Sequence, residues 1–455
     1  MAAGARNPRA AHEGGRMSLS PLDSPLWSGL YGDAELGAML DDAALLAAMV
    51  RVEVALAEAC AAEGVVSEAA ATEIAEKLTG YQPDPATLAE GAARDGVPVP
   101  ALLSDLRAKL SEEAGQAIHW GATSQDIIDS ATALLMTQAL AVIAARLRRV
   151  IRVTGELAGR EAETVMAGRT RSQIGLPVTF GALVASWGQP LIDAAARMAV
   201  MQGAGRVALH GAVGTDAALG DKAQAVRNRM AEALGLQAED QPWHSRRDAM
   251  AGLGAQAVLL TGSLGKIGTD VVTLAQSGIN EVRIAGGGSS TMPHKSNPVA
   301  AEALVALARH AAHLQGSLFE SALHGQFRDG AAWALEWMSL RPILVACGTS
   351  LRLAGEMLEG LEADAPRMRA NLEAAGFGPY AERAIFTLAK TLPRNAAKKA
   401  VQEAMAAPDP VAALLAAHPE LDGNILTDPL LAAGQAPAQA RAFAQRCNDL
   451  CGGNA

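Results

Sequence analysis

The chain has 455 residues, enough for about three domains, and a formal net charge of −10. That charge excludes a general nucleic-acid binder, which needs a basic face to neutralise phosphates, so any anionic ligand must be met by local cations. Hydrophobic residues make up 50% but aromatics only 3%; the core is therefore built from small aliphatic side chains, a composition that favours packed helices.

Residues 1–16 are rich in Ala, Gly and Arg and lack an apolar leader core; they are expected to be a disordered extension, with Met17 a second candidate start. Over 17–110, Leu40, Leu45, Met49, Val52 and Leu56 recur at helical spacing, and Tyr81-Gln-Pro-Asp-Pro85 and Gly96-Val-Pro-Val-Pro100 are breaks. This reads as a small helical first domain. Residues 111–362 change to long helices. One carries Ile143, Leu147, Val150, Ile151 and Leu157 on one side and Arg146, Arg148, Arg149, Arg152 and Glu156 on the other, and is expected on an outer face. Two others, within 251–277 and 299–319, have almost no charges and are expected to be buried, between subunits. Residues 363–455, broken by Gly376, Gly378, Pro393, Pro408, Pro410, Pro419 and Pro429, read as a third, smaller helical domain. The fold class is thus all-α, in three helical domains. No window reads as a membrane span: the longest uncharged run, Ser172 to Ile192, is interrupted by Pro177 and Pro190. Cys60, Cys347, Cys447 and Cys451 show no metal-ligand spacing, and a reduced, cytoplasmic protein is expected.

Five stretches carry candidate chemistry. His119-Trp-Gly-Ala-Thr-Ser-Gln-Asp126 precedes a helix; Thr123, Ser124 and Asp126 read equally as an N-cap cluster and as an anion site at a helix N-terminus. Gly168-Arg-Thr-Arg-Ser-Gln173 reads either as a carboxylate clamp through Thr170 and Arg171 or as a solvated turn. His210-Gly-Ala-Val-Gly214-Thr215 is a tight glycine turn, and Trp243-His-Ser-Arg-Arg247-Asp248 opens an apolar helix. The fifth, Gly286 to Pro298, sets Ser289, Ser290, Thr291, Lys295 and Asn297 in a glycine-rich loop able to surround an anionic group. It is not a nucleotide P-loop, because His294 stands where a glycine is required. No cofactor is expected, and no metal: no His-Glu-x-x-His, Cys pair or carboxylate cluster has ligand spacing.

Together these blocks resemble the fumarase/aspartase superfamily, whose signature Gly-Ser-Ser-x-Met-Pro-x-Lys-x-Asn-Pro is matched at every fixed position by Gly288 to Pro298. The Thr-Ser-x-Asp block at 123–126 and Gly211-Ala-Val-Gly-Thr215 support it. Gln241 to Asp248 and Ala334-Leu-Glu-Trp337 look most like the branch of bacterial 3-carboxy-cis,cis-muconate lactonizing enzymes, with adenylosuccinate lyase the nearest competitor. The resemblance implies a central long-helix bundle that forms a tetrameric core, with active sites where three subunits meet. It also implies Ser289 as general base, Lys295 and Asn297 on the substrate carboxylate and intermediate, and Thr123, Ser124 and Thr170 in an anion pocket. His119, Arg247 and Arg328 fall on substrate-contacting positions.

One departure tilts the choice of reaction. Amine-expelling members usually have Thr-His in the second block, the histidine serving leaving-group proton transfer, whereas this chain has Thr170-Arg171. Arginine cannot do that work near neutral pH. A carboxylate, whose parent acid has a pKa of about 4, leaves without a proton donor. The expected reaction is therefore cycloisomerisation of a polycarboxylate, with Arg171 as a binding cation or a structural residue. An adenylosuccinate-type lyase and a catalytically silent structural relative are the alternatives.

Overall fold

The computed structural model describes residues 20–288, 291–292 and 294–452. The first region is helical, and its spine is α1 (Asp42–Ala62), started by the Asp41 side chain accepting the Ala44 N–H. Met49, Val52 and Leu56 of α1 are wholly buried, and the helix packs along α2 (Ser124–Arg160).

At 37 residues, α2 is roughly 55 Å long. The expected stripe of Ile143, Leu147, Val150, Ile151 and Leu157 is buried, and on the opposite side of the same stretch Arg148, Arg149, Arg152 and Glu156 are exposed, as the outer-face expectation has it. Only the first third of α2 is enclosed, the segment from Gln125 to Met136 being buried on all sides. The arginine face also carries ion pairs to distant carboxylates: Arg146 pairs with Asp33 and Glu35, and Arg149 with Glu359 at 2.6 Å. Those partners are more than a hundred residues away, so the local pattern does not announce them.

After α2 the chain forms an antiparallel hairpin, β1 (Val165–Thr170) and β2 (Gln173–Thr179), with Val165 opposite Thr179 and Thr170 opposite Gln173. The remaining bundle helices, packed on one another and on α2, are α3 (Phe180–Gln202), α4 (Asp248–Leu274), α5 (Val299–Glu320) and α6 (Gly330–Glu359). Beyond the hairpin, the described strands are two-residue pairings, Val282–Arg283 with Glu362–Ala363 and Gly287–Gly288 with Ser296–Asn297. The fold is all-α, as expected.

By length and composition α2 and α4 could each cross a bilayer, contrary to the expectation that no window reads as a span. Packing accounts for α2, whose apolar window is 78% buried inside the bundle; for α4 the share is 50%.

The last hundred residues do not form one unit. Leu388, Val401, Leu414 and Leu426 make a second small core, whereas the terminal helix α7 (Ala436–Gly452) returns to lie on α2 and α3. Two glycines permit this approach. A Cβ at Gly155 would sit 2.4 Å from Cys447 Cβ, and one at Gly188 would sit 2.1 Å from the Phe443 ring.

Candidate active site

At the N-terminal end of α2 a buried carboxylate gathers three segments. Asp126, wholly buried, accepts the Thr123 and Gly211 N–H groups through Oδ2 and the His210 N–H through Oδ1, each at 3.0 Å. Its Oδ1 also lies 2.7 Å from His244 Nε2. One side chain thus fixes the start of α2, the Gly211–Gly214 turn and the segment before α4. Gln125 extends the tie, donating to the His244 carbonyl at 2.9 Å and accepting from Arg328 Nε at 2.8 Å. Arg328 in turn donates to the Ala212 carbonyl at 3.1 Å and keeps part of its surface exposed. Burial, reinforced by Arg227, holds His210 below the ordinary histidine range. His119 stands beside this cluster in a left-handed backbone conformation (φ 65°), with Nδ1 2.6 Å from Glu53 Oε1.

Arg247 requires a correction. Its side chain has no exposure, and its guanidinium is taken up by Asp129 at 2.7 Å and Glu336 at 2.5 Å. Trp333 Nε1 also donates to Asp129, at 3.2 Å, and the Trp243 ring lies 4.9 Å beneath the guanidinium. Burial alone would disfavour the charge, but the two carboxylates outweigh it and hold Arg247 firmly protonated. Glu336 moves the other way: burial raises its carboxyl despite Arg247. Arg247 is therefore a strut joining α2, α4 and α6, not a cation available to substrate. Asp129 and Glu336 were missed as its partners, although Glu336 lies in the Ala334-Leu-Glu-Trp337 stretch that supported the resemblance.

Thr170 and Arg171 lie past the opposite end of α2, at the tip of the β1–β2 hairpin. Arg171 and Ser172 have φ of 51° and 64°, both positive as a two-residue type I′ turn demands, and both residues are exposed with Thr170. The hairpin is anchored by Arg169, whose fork meets the fully buried Glu281 at 2.8 and 2.7 Å; Asn371 donates to the same carboxylate at 2.9 Å. Glu281 leads into the glycine-rich loop, whose base is closed by the pairing of Gly287 with Asn297 and Gly288 with Ser296. Within that loop Lys295 is exposed and Asn297 half-buried. Ser289, the expected base, lies outside the described residues, as do Ser290 and Pro293.

The candidate residues thus fall into two groups separated by about the length of α2. His119, Thr123, Ser124 and Arg328 are at one end; Thr170, Arg171, Lys295 and Asn297 are on the hairpin side. Each group offers donors and cations to an anion, and a single chain does not bring them together.

A family profile described as lyase matches residues 36–312. The chain belongs to this family. The lyase is 37% identical over 395 residues to a 3-carboxy-cis,cis-muconate cycloisomerase of Bradyrhizobium diazoefficiens, covering 85% of this chain and 87% of the relative. It is 36% identical over 446 residues to a nitrosuccinate lyase of Streptomyces davaonensis, covering 91% and 93%. Its structure matches that of the 3-carboxy-cis,cis-muconate lactonizing enzyme of Pseudomonas putida with a TM-score of 0.85 at 32% identity, covering 93% of this chain and 100% of the other. The fumarase/aspartase resemblance of the motifs and the all-α bundle of this lyase therefore agree.

Proposed function

We propose that this lyase interconverts 3-carboxy-cis,cis-muconate and 4-carboxymuconolactone, acting as a cytoplasmic homotetramer whose sites are shared between subunits. The observation that carries the reading is Arg171: where a proton donor to an amine leaving group belongs, the chain holds out a guanidinium on an exposed hairpin tip. A reaction in which a carboxylate is the nucleophile forward and the leaving group in reverse needs no such donor. The cycloisomerase relatives at 37% identity support the same substrate.

One carboxylate of the substrate adds to the conjugated double bond, and the electron pair moves into an enediolate-like intermediate that is then protonated at carbon. Ser289 transfers that proton, and Lys295 with the loop N–H groups stabilises the charge that develops. Asn297 holds the same carboxylate, while Thr123, Ser124, Thr170, Arg171 and Arg328 bind the remaining negative groups. Shared sites follow from the two-ended arrangement. Large apolar side chains left exposed on three neighbouring bundle helices, Leu259 at 57%, Phe319 at 54% and Met338 at 70%, suit burial against other copies. Cys60, Cys347 and Cys447, free and with thiols pushed up to about 12 by burial, fit a reducing compartment.

A second reading rests on the streptomycete relative. Nitrite, like a carboxylate, departs as a stable anion, so Arg171 is equally compatible with nitrosuccinate cleavage. Ultraviolet assays with carboxymuconate, nitrosuccinate and adenylosuccinate separate these readings and the silent relative. Carboxymuconate is expected to be consumed, and Ser289→Ala to abolish turnover while the oligomer stays intact. Turnover of adenylosuccinate but not carboxymuconate would overturn the proposal, and a fully active Ser289→Ala would remove the serine from its role.

A further inference from the structure

Glu53 is a buried charge that packing alone does not explain. It lies on α1 between Val52 and Val54, on a stretch of helix buried to either side, and is itself 0% exposed. Its Oε1 meets His119 Nδ1 at 2.6 Å, while Oε2 is buried with no hydrogen-bond partner among the described residues. A carboxylate in such surroundings is costly, and one histidine is a poor return if the purpose were only to join α1 to the following segment; an apolar pair would do that better. The histidine is also held oddly. It is a non-glycine residue with φ 65°, set two residues before Gly121 (φ 74°), in a turn whose Gly121 carbonyl lies against Gly211. With Nδ1 committed to Glu53, the opposite ring nitrogen, Nε2, has no partner among the described residues, and the side chain keeps 16% exposure beside the Thr123 end of α2.

We propose that Glu53 is a positioning residue of the active site, a buried carboxylate that fixes and charge-balances His119 so that Nε2–H is offered to a carboxylate of the substrate. A ring protonated on both nitrogens donates to Glu53 on one side and to an anion on the other. Glu53 holds Nδ1 at 2.6 Å and so leaves Nε2 to face the ligand beside the start of α2. The group recognised is a carboxylate of a di- or tricarboxylate substrate, which deepens and rests on the reading of the site given above. Nothing in the sequence near Glu53 marks this role, because the helix around it reads as core.

The test compares Glu53→Gln, which keeps the acceptor but removes the charge, with His119→Asn and the double variant, in KM, kcat and the Kd for tricarballylate. KM and Kd are expected to rise about tenfold in each single variant, with kcat changed by less than about threefold, and the double variant to be no worse than His119→Asn. A merely structural Glu53 would lower the amount of active enzyme, seen as reduced kcat at unchanged KM; that result overturns the proposal. So do wild-type constants in Glu53→Gln, or losses that multiply in the double variant. Should Glu53→Gln not fold, Glu53→Asp retains the charge, shortens the reach and carries the same comparison. Failure of the wild-type enzyme to consume carboxymuconate sinks the functional reading instead. The same ratios are then read on nitrosuccinate or adenylosuccinate, whichever it consumes, since each carries at least two carboxylates.

Discussion

Arg247 illustrates how far a single residue can be read without its neighbours. In the sequence it follows a histidine, a serine and another arginine just before a helix, a setting that suits an anion-binding cation. Its actual partners, Asp129 and Glu336, are 118 and 89 residues away, and nothing local points to them. Replacing Arg247 with Met leaves both carboxylates buried and unpaired, which is expected to destabilise the fold by about 3–5 kcal/mol. Denaturant unfolding measures this. Adding Asp129→Asn and Glu336→Gln to the same variant removes the orphaned charges and is expected to restore much of the loss. A small loss in the Met variant, accompanied by a large rise in KM, would instead return Arg247 to substrate binding. The contrast with Arg328 is one of exposure: both arginines bind groups near the same end of α2, but only Arg328 retains surface for a ligand.

Among elements, the helices were legible because their apolar residues recur at helical spacing and their breaks contain Pro or Gly. The β1–β2 hairpin was not. Its strands do not alternate cleanly, its register shifts between Ala167 and Arg169, and its turn is Arg-Ser, not the Asn-Gly that announces a type I′ turn. The same omission hid how Thr170 and Arg171 are presented. Ser172 at φ 64° occupies a conformation that costs a non-glycine residue on the order of 1 kcal/mol, so Ser172→Gly is expected to strengthen the tip by about that amount. Slower amide exchange along 165–179 at unchanged turnover would show it. Arg171→Gly should relieve similar strain and yet lose activity, because the guanidinium is gone while the geometry is kept. Equal effects of the two changes on activity would make the tip, not its charge, the functional part. The terminal helix was misassigned for a related reason: a chain of proline breaks reads as one small domain, and only Gly155 and Gly188 reveal the seat that α7 occupies on α2 and α3.

For the whole molecule, the motifs named the superfamily, but their order along the chain does not show their separation in space. α2 alone places the Thr123 cluster and the hairpin about 55 Å apart; α4 leads from the Asp129 end towards the hairpin and α5 leads back, leaving Lys295 on the hairpin side and Arg328 beside Gln125. A site using both groups must combine different chains, and this can be tested by mixing inactive enzymes. One parent carries Ser289→Ala; the other carries His119→Asn with Arg328→Met, silencing the opposite end. At substrate concentrations below the wild-type KM, each homo-oligomer is expected to be nearly inactive. In oligomers reassembled at random from equal amounts, each end of a site is drawn independently from intact or altered chains, so about a quarter of the sites are wholly intact and a similar fraction of wild-type activity should return. A site contained within one chain gives no recovery, because every chain then carries a defect in its own site. Recovery that fails when Leu259→Glu is present in both parents would further show that the intact sites depend on the exposed apolar face of the bundle.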